Sequence, residues 1–174
     1  MIRSWRFRTC SGSAQPVFGD VLTAALPFTP NKFNLVLTVA DTTLWALGDQ
    51  LVITPQTTTS LMLQIVKILT ATTMLCETVG DQAMPAAGYA NSSILVLSKA
   101  CYGIHLRTLT GTVGVYLGTD STVTNAGLGS AFEDLVGADR YDYIFHNGAN
   151  PLHTEELWMA GGASDKVGIS AEIC

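Results

Sequence analysis

Four stretches of the chain alternate in character with a period of two. Phe33, Leu35, Leu37 and Val39 fall to one side, while Asn34, Val36 and Thr38 fall to the other. Tyr102, Ile104, Leu106 and Thr108 alternate with Gly103, His105 and Arg107, and Val113, Val115 and Leu117 with Gly114, Tyr116 and Gly118. Val167, Ile169, Ala171 and Ile173 alternate with Lys166, Gly168, Ser170 and Glu172. An extended backbone turns successive side chains to opposite faces, so one dry face and one wet face produce this pattern. Valine and threonine enrichment agrees, because β-branched side chains suit a pleated surface.

Turn signals separate these runs: Gly48-Asp49, Gly80-Asp81, Gly88, Gly118-Thr119-Asp120, Asn147-Gly148 and Gly161-Gly162. Many short strands with such punctuation predict an all-β chain built as a β-sandwich or small barrel. Helix signals are brief. Ser130-Ala131-Phe132-Glu133 has the spacing of a capping box ahead of Leu135 and Val136, but Gly137 stops it after little more than one turn. Asn150-Pro151 suits the start of another short turn. No architectural helix is expected.

The reading divides the chain into three. Residues 1–30 form an N-terminal arm, with a strand from Ile2 to Cys10 followed by a loop punctuated by Pro16, Pro27 and Pro30. Residues 31–98 form a small β-barrel-like subdomain with strands near 33–39, 50–54, 61–69, 73–79 and 93–98. Residues 99–174 form a β-sandwich subdomain with strands near 101–109, 112–118, 141–146, 156–160 and 166–173. One continuous sandwich over the last two parts fits the pattern equally well. Gly48-Asp49-Gln50 and Gly80-Asp81-Gln82 have unlike flanks and indicate no internal repeat.

Hydrophobic residues make up 48% of the chain and charged residues 13%, a balance that excludes disorder. So few charges leave part of the apolar surplus to face a partner. The net charge of −5 argues against nucleic acid as that partner. Its distribution is uneven: Arg3, Arg6 and Arg8 open the chain, while Glu133, Asp134, Asp139, Asp142, Glu155 and Glu156 crowd its last third. A basic arm on an acidic body can dock on a neighbouring subunit, and arginines can equally guard an edge strand. The start MIRSWRFRTC lacks the apolar run of an export signal, so synthesis in the cytoplasm is expected. The most apolar window, Leu61 to Leu69, is broken by Gln64 and Lys67; it reads as a core strand and not as a membrane span.

A search for reactive constellations returns weak signals. Cys10, Cys76, Cys101 and Cys174 fit no zinc spacing, and Cys76 and Cys101 read as small buried hydrophobes. Of His105, His146 and His153, the last stands near Glu155 and Glu156 but outside the helical His-Glu-x-x-His context that makes a metal site specific. Gly127-Leu128-Gly129 is a loop without a phosphate-binding lysine, and Asp120, Asp139, Asp142 and Asp165 do not space as a calcium loop. Trp45 reads as a barrel corner and Trp158 as core. No enzymatic activity, metal or cofactor is expected. The best partner-binding segment is the N-terminal strand with Arg3, Trp5, Arg6, Phe7 and Arg8, because arginine and aromatic residues are enriched at interface hot spots. Alternation places Trp5 and Phe7 on one face and Arg6 and Arg8 on the other.

Gly111-Thr112-Val113-Gly114-Val115-Tyr116-Leu117-Gly118, running on to Val123 and Gly127, resembles the G-x-V-x-V/I-Y-h-G-x-x-x-V hairpin (h, hydrophobic) of small β-sandwich proteins in tailed-bacteriophage virions. Leu157-Trp158-Met159-Ala160, the glycine turn at Gly161-Gly162 and the closing run Lys166 to Ile173 are similar to that family's C-terminal layout. Val39-Ala40-Asp41-Thr42-Thr43-Leu44-Trp45-Ala46-Leu47-Gly48-Asp49 is similar to its V-x-D-x-x-x-F/W-x-x-G-D element. The resemblance covers about two-thirds of the chain and leaves the arm unmatched. It implies a virion structural protein, more narrowly a capsid decoration or cement protein on the head surface, assembled in the host cytoplasm. Its implied partner is the major capsid protein, and the implied state is a homo-oligomer, a trimer suiting three-fold positions. A tail- or fibre-associated adaptor or glycan-binding virion protein is the alternative. The family pattern contains no catalytic residue.

Overall fold

A computed structural model describes residues 2–54, 60–110, 114–129, 131–135, 140–144 and 152–173, without the side chains of residues 2–8, 102, 110, 132, 133, 140–144, 152 and 173. The protein is all-β, and among the described residues the helical content is two three-residue 3-10 turns, Thr42–Leu44 and Thr154–Glu156. The strands in chain order are β1 (Ile2–Thr9), β2 (Gln15–Pro16), β3 (Gly19–Val21), β4 (Leu35–Thr38), β5 (Gln50–Thr54), β6 (Leu61–Ile68), β7 (Thr73–Thr78) and β8 (Ile94–Leu97). They continue with β9 (Ala100–Thr110), β10 (Val115–Gly118), β11 (Ala131–Leu135), β12 (Arg140–Ile144), β13 (Leu152–His153), β14 (Trp158–Ala160) and β15 (Lys166–Ile173).

Two compact units divide the chain, one made of Met1–Phe18 with Lys99–Cys174 and the other of Gly19–Ser98. Their lower boundary differs from the expected arm of residues 1–30. Pairing of β1 with β15 ties the first strand to the C-terminal unit, whereas β3 pairs with β8 and draws residues from Gly19 onward into the other. The second unit is therefore an insertion. Its first and last strands lie side by side, with Gly19 opposite Val96 and Val21 opposite Ile94. Adjacent ends are what let one domain interrupt another without distorting it.

The inserted unit is one six-stranded antiparallel sheet in the order β3-β8-β5-β6-β7-β4. It curls until its edges meet: Leu22 bridges Val39, and the Thr23 N–H donates to the Thr38 carbonyl at 2.9 Å. Edge-to-edge closure satisfies backbone groups that an open sheet leaves to solvent or to other chains. The inward positions are Leu35, Leu37, Leu51, Ile53, Leu61, Leu63, Ile65, Met74, Cys76, Leu95 and Leu97, all essentially buried. Each such aliphatic side chain contributes about 1.5–3 kcal/mol by leaving water. Strand alternation predicts the inward side of β4, Leu35 and Leu37, with one exception. Phe33 is 61% exposed, because Asn34 adopts φ +61° and breaks the extended backbone before β4 begins. The dry run of β6 also ends early, at Ile65: a bulge follows between Ile65 and Lys67, and Leu69 is exposed, as is Val66 on the outward face.

The interrupted unit is a β-sandwich of two sheets, β1-β15-β9-β12 with β13 also on β9, and β11-β10-β14-β2. Ile104, Leu106, Val167, Ile169 and Ala171 form the buried face of the first sheet, and Val115, Leu117, Leu135 and Met159 are buried in the second. The capping-box spacing at Ser130–Glu133 is overruled. Residues Ala131–Leu135 are strand β11, hydrogen-bonded along β10, since pairing an apolar edge with a formed sheet outweighs one isolated helical turn. Asn147-Gly148 and Asn150-Pro151 lie outside the described residues.

Gly88 takes φ +66°, and a Cβ there would meet the backbone of Leu26 and Phe28 beside the Leu26–Tyr89 bridge. A backbone clash cannot be relieved by a rotamer change. Gly88→Ala is expected to destabilise the protein by about 1–3 kcal/mol, and Leu63→Ala, which empties a fully buried site, by about 2–5 kcal/mol. Urea unfolding with an unchanged slope checks both.

Candidate functional site

β1 is a sheet element and not a loose arm. It pairs antiparallel with β15 from Ile2 opposite Glu172 to Thr9 opposite Lys166. Just beyond it, Cys10 is buried and its N–H donates to the Asp165 carbonyl at 2.8 Å. The Gln15 side chain then bonds the Thr9 carbonyl at 3.1 Å, and β2 joins β14 in the other sheet. The segment is thus pinned at its C-terminal end to both sheets of its unit. Removing residues 1–12 would take away an edge strand and a buried cysteine, so that truncation cannot be expected to leave the unit intact.

The structure gives register positions for all but one of the expected interface residues. Arg3 stands opposite Ala171, Trp5 opposite Ile169, Phe7 opposite Gly168 and Arg8 opposite Val167. A bulge falls between Trp5 and Phe7, and Arg6 occupies it without a register partner. Strict alternation, which puts Trp5 and Phe7 on one face, is therefore interrupted between them: their partners Ile169 and Gly168 are consecutive residues. The side chains of Arg3, Trp5, Arg6, Phe7 and Arg8 lie outside the described residues.

What distinguishes β1 is its place. It closes one end of its sheet, so among the described residues its backbone has a strand on one side only. The other sheet edges of this unit differ in kind. β2 is two residues long and ends in a proline, which blunts an edge by removing a donor. β12 carries Arg140 and Asp142, one charge of each sign. β11 carries Glu133 and Asp134, and β1 carries Arg3, Arg6 and Arg8 with no acid. The arginines of β1 fit the guarded edge strand that the sequence allowed, whereas only the pairing identifies β11 as an edge among the described residues.

Polar side chains in the interior serve the turns. Asp49 is buried and its carboxylate accepts the Ala46 N–H at 2.8 Å. Asp165 is buried and accepts the Gly162 N–H at 2.9 Å, closing the Gly161-Gly162 turn ahead of β15. Asp41 caps the 3-10 turn by accepting the Thr43 N–H, and Trp45, which ends that turn, is buried as a corner residue. Asp120 accepts both the N–H and the hydroxyl of Thr122. His153 is exposed, and the nearby Glu156 carboxylate accepts its backbone N–H at 3.1 Å, so this pair forms a turn cap. Among the described residues no three metal-ligating side chains come together. His105 lies half-buried in β9, His146 is outside the described residues, and Trp158 is half-buried with its indole N–H on the Glu155 carbonyl.

A recess of about 120 Å³ in the inserted unit is bordered by Phe28, Pro30, Lys32, Thr78 and Met84. The Thr78 hydroxyl beside it is buried with no hydrogen-bond partner among the described residues. At its rim Lys32 pairs with Asp81 and holds that carboxyl below the usual carboxylate range, by hydrogen bond first and by charge second. Phe28, Phe33, Val36 and Leu47 are the largest exposed apolar side chains of this unit. Alternation places Val36 on the outward face of β4, whereas Phe28, Phe33 and Leu47 lie in loops.

Comparison of the chain with protein-family models, with curated proteins and with solved structures finds no match. The virion resemblance of the glycine and turn motifs therefore stands on those residues alone.

Burial pushes the thiols of Cys76 and Cys101 from 9.0 up to about 12, and the phenol of Tyr89 from 10.0 up to about 12. The folded protein thus prefers all three groups neutral. Their contribution is complete below about pH 9 and is lost as the pH rises towards 12. Unfolding midpoints in urea should accordingly fall across that window. Cys76 and Cys101 should also resist a thiol-specific chromogenic reagent at pH 8 until denaturant is added.

Proposed function

We propose that this chain is a structural protein of a tailed-bacteriophage virion, a capsid decoration or cement protein that stabilises the assembled head. Many copies dock on the head, each joined to a neighbouring subunit through the edge of β1, and together they bridge major capsid subunits. The observation that carries this reading is the eight-residue basic strand β1, paired on one side only among the described residues. An uncapped strand edge offers a row of backbone donors and acceptors, and strand addition to it supplies affinity without a pocket. The motif resemblance supports the virion setting. Two further features support a binding rather than a reacting protein: buried carboxylates committed to backbone amides, and exposed aromatic and aliphatic side chains on the inserted unit.

Weak contacts suffice in such an arrangement. A copy held at two or three points gains about 10²–10⁴-fold in avidity over any one contact, provided the geometry allows simultaneous engagement. The head surface supplies repeated sites at fixed spacing, and a closed cyclic oligomer matches them with its own symmetry.

Purified heads lacking this protein provide the test. The wild-type chain should bind them to saturation, and the Arg3→Glu, Arg6→Glu, Arg8→Glu variant should show at least a tenfold loss of occupancy at the same concentration. Unchanged occupancy would remove β1 from the interface. Labelled protein found on tails in electron micrographs, with bare heads, would move the function to an adaptor or fibre role.

A further inference from the structure

We infer that the strand added to the edge of β1 is β11 of a second copy of this chain, so that copies join head to tail into a closed ring. The inference rests on the docking role of β1 proposed above and names the partner at that site. Three observations lead to it. First, β1 and β11 end different sheets of the same unit, β1 beside β15 and β11 beside β10, each with a neighbour on one side only among the described residues. Second, the charges are opposite. Three of the nine lysines and arginines of the chain stand in β1 with no acid, and β11 carries Glu133 and Asp134 with no base; Asp134 is exposed. Third, the remaining edges of this unit are poorly suited: β2 and β13 are two residues long, β2 with a proline, and β12 mixes both signs.

Charge then selects among the possible pairings. Like charges directly across a strand pair repel, which disfavours β1 against β1 and β11 against β11. Those are the two pairings that would give an isologous two-fold dimer through one edge. Pairing β1 with β11 head to tail is heterologous and closes into a ring of three or more or fails to close at all; the reciprocal two-fold dimer, with both pairs formed between the same two copies, is the arrangement that the mass in solution tells apart from it. Arginine-bearing, bulged edges ordinarily discourage pairing with arbitrary strands. Here the same features act as a filter that admits an acidic strand, and this chain supplies one. β11 is itself bulged, with Gly118 opposite Ala131 but Leu117 opposite Glu133, so neither edge is a flat template for unlimited addition.

The full chain in solution provides the test, read by light scattering after size exclusion, with circular dichroism as the folding check. Wild type at micromolar concentration is expected to have the mass of at least three copies of the 18.5 kDa chain. The Arg3→Glu, Arg6→Glu, Arg8→Glu variant and the Glu133→Lys, Asp134→Lys variant should each run as folded monomers. Combining both sets of substitutions in one chain should restore the large species, since every copy then again presents two complementary edges. This rescue separates lost pairing from lost folding. A wild-type monomer or dimer overturns the inference, as does a large species unaffected by the β11 substitutions. Monomeric wild type that still decorates heads would overturn the ring and leave the decoration role standing; a ring that never binds heads would do the reverse.

Discussion

The pairing of β15 with two partners at once holds the interrupted unit together. On one side it runs along β9 from Lys166 opposite Thr110 to Ile173 opposite Cys101, and on the other along β1 from Ile2 to Thr9. Its inward residues Val167, Ile169 and Ala171 are buried between those neighbours, while Lys166 and Glu172 face water. A strand paired on both sides satisfies its whole backbone, and here it also fastens the first segment of the chain to the last. The cost is entropic: the segments it joins are separated by nearly the whole chain, and closing so long a loop precedes any stabilisation from the contacts. Such non-local pairing belongs to the slow end of folding rates.

The insertion eases that cost. Residues Gly19–Ser98 fold as their own compact unit, whose terminal strands β3 and β8 are antiparallel neighbours. Once that unit has formed, the effective loop between β2 and β9 is short, because a folded body with adjacent ends replaces a long flexible segment. The barrel-like closure through the Leu22–Val39 bridge also leaves that unit few unpaired backbone groups at its sheet edges. Among the described residues, the strand edges left open to other chains include β1 and β11 of the interrupted unit. The proposed assembly role follows from where the edges are, not from any reactive side chain.

Shape also accounts for the fixed residues of the motifs. In the segment from Val39 to Asp49, Val39 is core, Asp41 caps the 3-10 turn, Trp45 fills a corner, Gly48 takes φ +80° and Asp49 ties down the Ala46 amide from within. In the C-terminal layout, Gly161 and Gly162 leave room for the Asp165 carboxylate that holds the turn. Gly129, at φ +77°, lets the chain pass against the Thr122 carbonyl. These glycines and acids build corners. A pattern made of corner residues can be shared by proteins with different partners, so it speaks to architecture more strongly than to occupation of a site.

Composition and period-two alternation by themselves determined that the chain is all-β, where most strands run, and which side of four of them is dry: Leu35 and Leu37, Ile104 and Leu106, Val115 and Leu117, Val167 and Ile169 are core as read. Those are local properties, because a pleated backbone imposes its alternation wherever one face is buried. The exceptions mark where local reading ends. Phe33 was lost from the core to a left-handed Asn34, and residues 131–135 exchanged a helical cap signal for a strand because β10 was there to receive them. The tertiary structure alone decided that β11 is an edge among the described residues and β15 is central, that residues 2–9 belong beside 166–173, and that Gly19–Ser98 is an insertion. Hydrogen bonds between strands carry no residue code and can join any two extended segments, so partner choice is settled only when the whole chain has packed.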